Sequence, residues 1–208
     1  MDIQIKVVNE SDDDAYILFF QKPDLANPNR IYSDVFPVAW RVVPLGHNST
    51  STIVYPVSLQ VTAQEHTPVY NAANRLTYQD TDQGQAWKFI TKGDFADIET
   101  DGKSDGSEVI LRNNAPERID AGLAKDGKVL LVQRGLGLDE QAVFQLTPKL
   151  YVVYTRDIAE GELIKGDTAS QHTKEIDLTN LQSITVALVN GTPGTGQKIW
   201  ELRDRRNV

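Results

Sequence analysis

Apolar and polar residues alternate from the first positions of the chain. Ile3, Ile5 and Val7 are separated by Gln4 and Lys6, and this period of two predicts a β-strand with one buried face. After an acidic turn, the more continuously apolar stretch from Ala15 to Lys22 predicts a second and more fully buried strand.

Similar runs recur along the rest of the chain, separated by Gly, Pro, Asn and Asp. Asp126-Gly127, between two apolar runs, is the strongest hairpin signal in the sequence. No stretch of about ten residues has the apolar spacing of an amphipathic helix, and short helices are expected only at Ala159–Ile164 or Thr179–Ser183. The further predicted strands are Val38–Val43, Ile53–Val61 with Pro56 as its break, Arg75–Tyr78, Ala86–Thr91, Phe95–Thr100, Glu108–Arg112, Ile119–Lys125, Lys128–Arg134, Gln141–Leu146, Leu150–Thr155, His172–Leu178, Ser183–Val189 and Lys198–Leu202.

This pattern predicts an all-β fold with little or no helix. About a dozen short strands with turn residues between them are typical of an antiparallel β-sandwich, either immunoglobulin-like or jelly-roll-like. A chain of 208 residues is long enough for one large β domain or for two sandwiches of about 100 residues each.

Landmarks that recur in the same order predict that the sandwich is duplicated in tandem. The first copy is longer by about a dozen residues, because more residues separate Asn9 from Pro56 than separate Asn113 from Pro148. We therefore expect two closely packed sandwich units, residues 1–104 and 105–208; unrelated antiparallel segments with generic turn chemistry are the alternative. The matching segments are Lys6–Ser11 with Ile110–Ala115, Asp14-Ala15 with Asp120-Ala121, Trp40–Gly46 with Val132–Gly137, and the surroundings of Pro56 with those of Pro148.

The extra residues of the first copy lie in the loop Pro23–Pro37, which is rich in Pro, Asn and Asp but also carries large apolar side chains. Loops on rigid sandwiches are frequent recognition sites. We therefore take Tyr32, Phe36 and the following Trp40 as candidate ligand-binding residues. The alternative for Trp40, as for Trp87 and Trp200, is a place in the core, which is typical of Trp in strands.

Charge and composition narrow the range of partners. The formal net charge of −8 and a pI of about 4.9 disfavour binding to nucleic acids and to anionic membrane surfaces. Without cysteine, disulfides and thiolate metal sites are excluded. The sequence has neither a signal-peptide pattern nor an apolar run of about 20 residues. A cytoplasmic location without membrane insertion is the default expectation, with leaderless secretion as the alternative.

An acidic turn between the two halves has the spacing of a calcium-binding loop. Oxygen ligands occur at Asp97, Glu99, Asp101, Asp105 and Glu108, with Gly102 at the sixth position. The flanks are predicted to be strands rather than helices, so this would be a calcium turn on a β scaffold. A solvated Asp/Gly turn without any cofactor is the alternative.

Other motifs give no support for a catalytic site. The Gly-rich stretch from Gly191 to Lys198 resembles a phosphate-binding loop, but Gln197 occupies the position where that loop needs Lys. The three histidines, His47, His66 and His172, are far apart in sequence, and no Gly-x-Ser-x-Gly nucleophile motif is present.

The absence of an assembled catalytic motif favours a non-catalytic binding or structural protein that recognises a protein, a glycan or further copies of itself through loops at one end of a sandwich. An alternative is an enzyme with a cleft between the halves that holds two of Asp14, Glu65, Asp120 and Glu140 and acts on a sugar or other small molecule. A further alternative is a calcium-stabilised adhesion-type module.

Overall fold

The computed structural model describes residues 1–23, 35–72, 76–155, 158–164, 173–193 and 195–208. These residues form seventeen β-strands and no helix, which confirms the predicted all-β fold. The strands are β1 Ile3–Glu10, β2 Ala15–Phe20, β3 Val35–Pro37, β4 Arg41–Leu45, β5 Ser49–Tyr55, β6 Leu59–Glu65, β7 Thr77–Thr81, β8 Gln85–Lys92, β9 Phe95–Lys103, β10 Val109–Asn113, β11 Ile119–Lys125, β12 Lys128–Leu136, β13 Gln141–Phe144, β14 Lys149–Thr155, β15 Lys174–Asp177, β16 Leu181–Asn190 and β17 Lys198–Asn207.

The described strands form four sheets, which short connections join in two pairs. The first sandwich contains the sheets β17-β16-β1-β5 and β15-β14-β2-β4, and the second contains β13-β10-β8-β9 and β3-β12-β11-β6-β7. Two of the segments that connect the sandwiches, residues 56–58 and 145–148, are called the crossovers below. One hydrophobic cluster with members from all four sheets forms the main core.

The two sandwiches follow the same pairing plan. In the first, β1 pairs in parallel with β16 and antiparallel with β5. In the second, β10 pairs in parallel with β8 and antiparallel with β13. The central strands β2 and β11 correspond in the same way, because each has two antiparallel neighbours. Positions with the same place in this plan are called equivalent.

The expected division at residue 104 does not coincide with the boundaries of the sheets. Each of the four sheets contains strands from both 1–104 and 105–208, and the two halves meet in the middle of each sheet, for example at β1 and β16. Each sandwich therefore combines the first strands of one half with the last strands of the other.

The turns that were predicted to be equivalent are built alike. Asn9 Nδ2 donates to the carbonyls of Asp13, Leu45 and Gly46, and Asn113 Nδ2 donates to those of Glu117 and Leu136. Both asparagines are fully buried, so these hydrogen bonds satisfy side-chain amides that solvent does not reach. The equivalents of Ala15 and Leu45, which pair with each other, are Ile119 and Leu136, whereas the sequence comparison had aligned Ala15 with Ala121.

Three predicted elements differ from those observed. Val38–Val43 is not one strand, because β3 pairs with β12 in the second sandwich and β4 pairs with β2 in the first. No helix forms at Ala159–Ile164 or Thr179–Ser183. Gly161 and Asn180 have φ values of 88° and 53°, and these left-handed conformations are incompatible with continued helix.

Strand β11 is buried at every position and β2 at every position except Tyr16, and further segments cover the outer sides of the two sheets that contain them. Leu18 and Phe20 on β2 pack against Ala39 and Ile164. On the other sandwich, Val38 packs with Val129 and Val132 of β12, against Tyr70, Leu76 and Leu163.

Among the described residues, no helix has the length and apolar character that a membrane crossing requires.

Candidate functional site

A groove of about 350 Å³ opens at one end of the second sandwich, between its two sheets. Ala63 on β6, Phe89 on β8 and Ile119 on β11 form its apolar floor, and all three belong to the core cluster. Phe95, the first residue of β9, lines its mouth and is 76% exposed. The groove thus combines a buried apolar floor with an aromatic ring that a bound molecule could cover.

Three carboxylates surround this groove, those of Glu65, Asp94 and Glu117. No lysine or arginine is among the described residues that line it. Within the described part of the chain, none of the three carboxylates has an ion-pair partner. The groove is therefore a region of uncompensated negative charge, which favours a cationic ligand.

The equivalent end of the first sandwich shows which group is missing from the groove. In the β16–β17 hairpin Asn190 pairs with Lys198, as Thr91 pairs with Ala96 in the β8–β9 hairpin. Lys198 is therefore the equivalent of Ala96. Its side chain is only 11% exposed, and its Nζ lies 3.0 Å from Asp13 Oδ2.

The partners of Lys198 also have equivalents at the groove. Asp13 corresponds to Glu117, because the main-chain carbonyl of each accepts a hydrogen bond from the preceding buried asparagine. Lys198 Nζ lies 5.7 Å from the ring centroid of Tyr154. Tyr154 pairs with the third residue of β2, and Ala63 pairs with the third residue of β11. Ala63 is therefore the equivalent of Tyr154. The groove is thus the space that Lys198 and Tyr154 fill in the first sandwich. In the second sandwich the equivalent positions hold Ala96 and Ala63, which leave this space open.

A second polar cluster lies on the outer face of the five-stranded sheet. Asp120 is fully buried, and its Oδ1 accepts hydrogen bonds from His66 Nδ1 at 2.6 Å and from Gly135 N at 2.9 Å. Arg134 Nε lies 3.4 Å from Asp120 Oδ2, and its terminal nitrogens donate to the carbonyls of Thr67 and Pro68. Because Arg134 and His66 both bind Asp120, the cluster fixes the segment after β6 to β12.

Burial and the Asp120 carboxylate raise the pKa of Tyr70, which lies beside this cluster. Gln64, the cross-strand neighbour of Asp120, is 3% exposed, and neither polar atom of its side chain has a described partner. The sequence did not reveal this cluster, because His66 and Asp120 are 54 positions apart.

The candidate ligand residues of the long loop have different environments. Trp40 is fully buried, donates from Nε1 to the Lys125 carbonyl at 3.2 Å and packs edge-on against Tyr55. Trp40 therefore belongs to the core, as the alternative interpretation of the sequence had it, and offers no surface to a ligand. Phe36 on β3 is 38% exposed. Tyr32 and most of the loop Pro23–Pro37 lie outside the described residues.

The candidate calcium ligands are extended along β9 and the turn that follows it. Lys92 binds Asp97 at 3.7 Å and Glu99 at 2.5 Å, and this hydrogen bond lowers the pKa of Glu99. Arg112 lies 3.5 Å from Asp101. No group of three acidic or histidine side chains that could hold a metal occurs among the described residues. Calcium binding with Asp105 and Glu108 stays a prediction, which a thermal melt with and without chelator tests.

The four carboxylates of the enzyme alternative have separate roles in the described structure. Asp14 Oδ1 accepts a hydrogen bond from His47 N, and Glu140 Oε2 accepts one from Gly137 N. Asp120 is buried on the outer face of its sheet, and Glu65 is the one that lines the groove. Gly191 follows β16, Lys198 is the first residue of β17, and Lys198 binds Asp13 instead of pointing to a phosphate site.

In comparisons with known proteins, the chain matches no family model, no curated protein and no solved structure.

Proposed function

We propose that the chain is a non-catalytic interaction protein that binds a basic segment of a protein partner in the groove at the end of the second sandwich. The observation that supports this proposal most directly is the internal comparison. The first sandwich places Lys198 against Asp13 and Tyr154, whereas the equivalent space of the second sandwich lacks the lysine and retains the carboxylate of Glu117.

A lysine side chain from a partner has the chemistry that this groove lacks. Its methylene groups would lie against Ala63 and Phe89 while its ammonium meets Glu117 at the rim, the arrangement that long cationic side chains adopt at the border between apolar surface and water. Phe95 would lie over the ammonium or the stem, where an aromatic face adds a cation–π attraction. An arginine could use the same site, with its planar guanidinium stacked on the Phe95 ring.

The test is titration of the full chain with a fluorescently labelled tetralysine peptide at low salt. The same peptide with Nε-acetyllysine keeps the stems and lacks the charge. We expect binding of the first peptide at a Kd of about 0.1–1 mM and at least about tenfold weaker binding of the acetylated one. Equal binding of both peptides would contradict the proposal.

Two variants locate the binding. Glu117→Gln is expected to weaken tetralysine binding, and Ala96→Lys, which places the missing lysine on the chain itself, is expected to abolish it. Each variant has a matched control. Asp82→Asn removes one negative charge, as Glu117→Gln does, but at an exposed residue of the β7–β8 turn. Ala96→Gln adds a long side chain, as Ala96→Lys does, but without a charge. If Asp82→Asn weakens binding as much as Glu117→Gln, the attraction is to the acidic molecule as a whole and the groove has no special role.

We also propose that the chain arose by duplication of a unit that once formed a two-fold dimer with exchanged strands. The repeated pairing plan and the equivalent buried asparagines, Asn9 and Asn113, support this. A duplicated unit explains why one copy can keep a filled end while the other copy opens it into a binding groove.

A further inference from the structure

A second cavity, of about 430 Å³, lies between the two crossovers. Apart from Met1 and Ile3, the described residues that line it occupy equivalent positions of the two sandwiches. The equivalent lining residues are Tyr55 with Leu146, Pro56 with Thr147, Val57 with Pro148, Gln21 with Lys125, and Gln83 with Leu178. Its volume is within the range of about 300–1,000 Å³ that is typical of small-molecule sites.

Gln21 and Lys125 have equivalent structural roles at this cavity. Lys125 Nζ donates to the carbonyls of Pro56, Val57 and Ser58 at 2.6, 3.1 and 3.0 Å. Gln21 Nε2 donates to the carbonyls of Thr147 and Lys149 at 3.3 and 2.9 Å. Each side chain therefore holds the crossover that passes beside it.

The two residues differ in the polar group that they leave unsatisfied. Gln21 is 2% exposed, and its Oε1 has no hydrogen-bond partner among the described residues. A buried carbonyl oxygen in this state requires a donor. Gln21 lines the cavity, so an acceptor without a partner lies in its wall.

On the other side the cavity presents a positive charge. Lys125 is 5% exposed, and no carboxylate of the described residues lies within 4 Å of its Nζ; the face of Tyr55 is 4.8 Å away. Burial lowers the pKa of Lys125 to about 8, and the carboxylate of Asp2 opposes that shift. The surrounding carbonyl dipoles compensate the positive charge of this ammonium only in part, and an anion beside it would complete the compensation.

We propose that this cavity binds a small organic acid that has an apolar body, a carboxylate at one end and a hydroxyl or amide N–H donor at the other. The carboxylate lies beside Lys125 and accepts the hydrogen bond that Nζ now donates to Val57 O, the longest of the three hydrogen bonds of Nζ. The donor binds Gln21 Oε1, and the body packs between Tyr55 and Leu146. Most of the residues that line the cavity are paired between the two sandwiches, so these two polar groups decide the orientation of the ligand.

The test uses the full chain and two probes of this class, 4-hydroxybenzoate and the more flexible 6-hydroxyhexanoate, measured by calorimetry near pH 7. We expect at least one to bind with a Kd below about 1 mM. Removal of the hydroxyl (benzoate or hexanoate) and removal of the charge (the methyl ester) should each weaken binding by about tenfold or more. No binding of either probe at about 10 mM, or equal affinity for acid and ester, would overturn the proposal.

Variants assign the two ends of the ligand separately. Lys125→Met should remove the preference for the acid over the ester, whereas Gln21→Leu should remove the preference for the hydroxy acid over the plain acid. Lys125→Arg keeps the charge and should keep the preference for the acid. Because the ligand series is measured on the unaltered chain, the proposal can fail even where a variant does not fold. Loss of both preferences in Gln21→Leu alone would contradict the assignment of the ends.

Discussion

Lys125 makes the stability of the protein depend on pH. Its pKa is about 8 in the folded chain, compared with 10.5 for an unperturbed lysine. Between these values the unfolded chain binds more protons at this side chain than the folded chain does. The free energy of unfolding therefore rises with pH across this window, and the contribution is lost as the pH falls through about 8.

We predict that Lys125→Met removes this rise. Urea unfolding at pH 7 and near pH 10 gives the free energy of unfolding of both proteins. The value for the wild type minus the value for Lys125→Met should be larger near pH 10 than at pH 7. The Met variant also leaves three crossover carbonyls without their donor, which costs stability at either pH. Only the change of the difference with pH reports the pKa, and a difference that is constant or falls with rising pH would contradict a lowered value.

At the same scale, the sequence identified the turn asparagines and not the residues that leave the groove open. Asn9 and Asn113 were recognisable because a buried Asn before a strand, with Gly further on, is a local arrangement that recurs in the chain. Ala63 and Ala96 carry no signal of their own, since a small residue marks a groove only when the residue that fills the same space elsewhere is known. That comparison needs the register of β6 and β9, which alternation alone does not give.

At the scale of elements, the hairpins β8–β9 and β16–β17 occupy equivalent places in the two sandwiches, and one inward position holds Ala96 in the first hairpin and Lys198 in the second. We predict that Ala96→Lys raises the free energy of unfolding by about 0.5–1 kcal/mol, the range of a partly exposed ion pair. The new ammonium would meet Glu117, as Lys198 meets Asp13. Thermal and urea unfolding measure the gain.

A double-mutant cycle with Glu117→Gln separates this ion pair from simple filling of the groove. In the chain that carries Glu117→Gln, the substitution Ala96→Lys should lose most of its benefit, and Ala96→Gln should give little benefit with or without the carboxylate. A gain that persists without the carboxylate would mean that the groove favours apolar volume rather than positive charge.

The strands themselves were largely predictable, because their pattern is local. Ile119–Lys125 was predicted with the bounds that the structure gives to β11, and Asp126-Gly127 forms the expected turn, with positive φ at both residues. The strand expected at Val38–Val43 failed because the chain leaves one sheet and enters another there. That change depends on the partners β12 and β2, which no periodicity in the segment records.

At the scale of the whole molecule, the sequence indicated a repeated plan but not how the repeats are assembled. Landmarks in the same order are compatible with two self-contained sandwiches or with sandwiches that exchange strands. The choice is made by long-range pairings, such as β1 with β16 and β8 with β10. These pairs join the halves at the centre of the sheets, so neither half can satisfy its backbone alone.

We predict that neither half folds as a monomer. A protease site inserted between Asp105 and Gly106, in the exposed turn after β9, allows the folded chain to be cut without disturbing a strand. Because every sheet continues across the cut, the two pieces should stay together in size-exclusion chromatography and separate only in urea. Each piece alone exposes the edges of central strands, and should be unfolded or associate with itself. If isolated residues 1–105 instead formed a monomer with a cooperative thermal transition, the exchange of strands between the halves would not be required for folding.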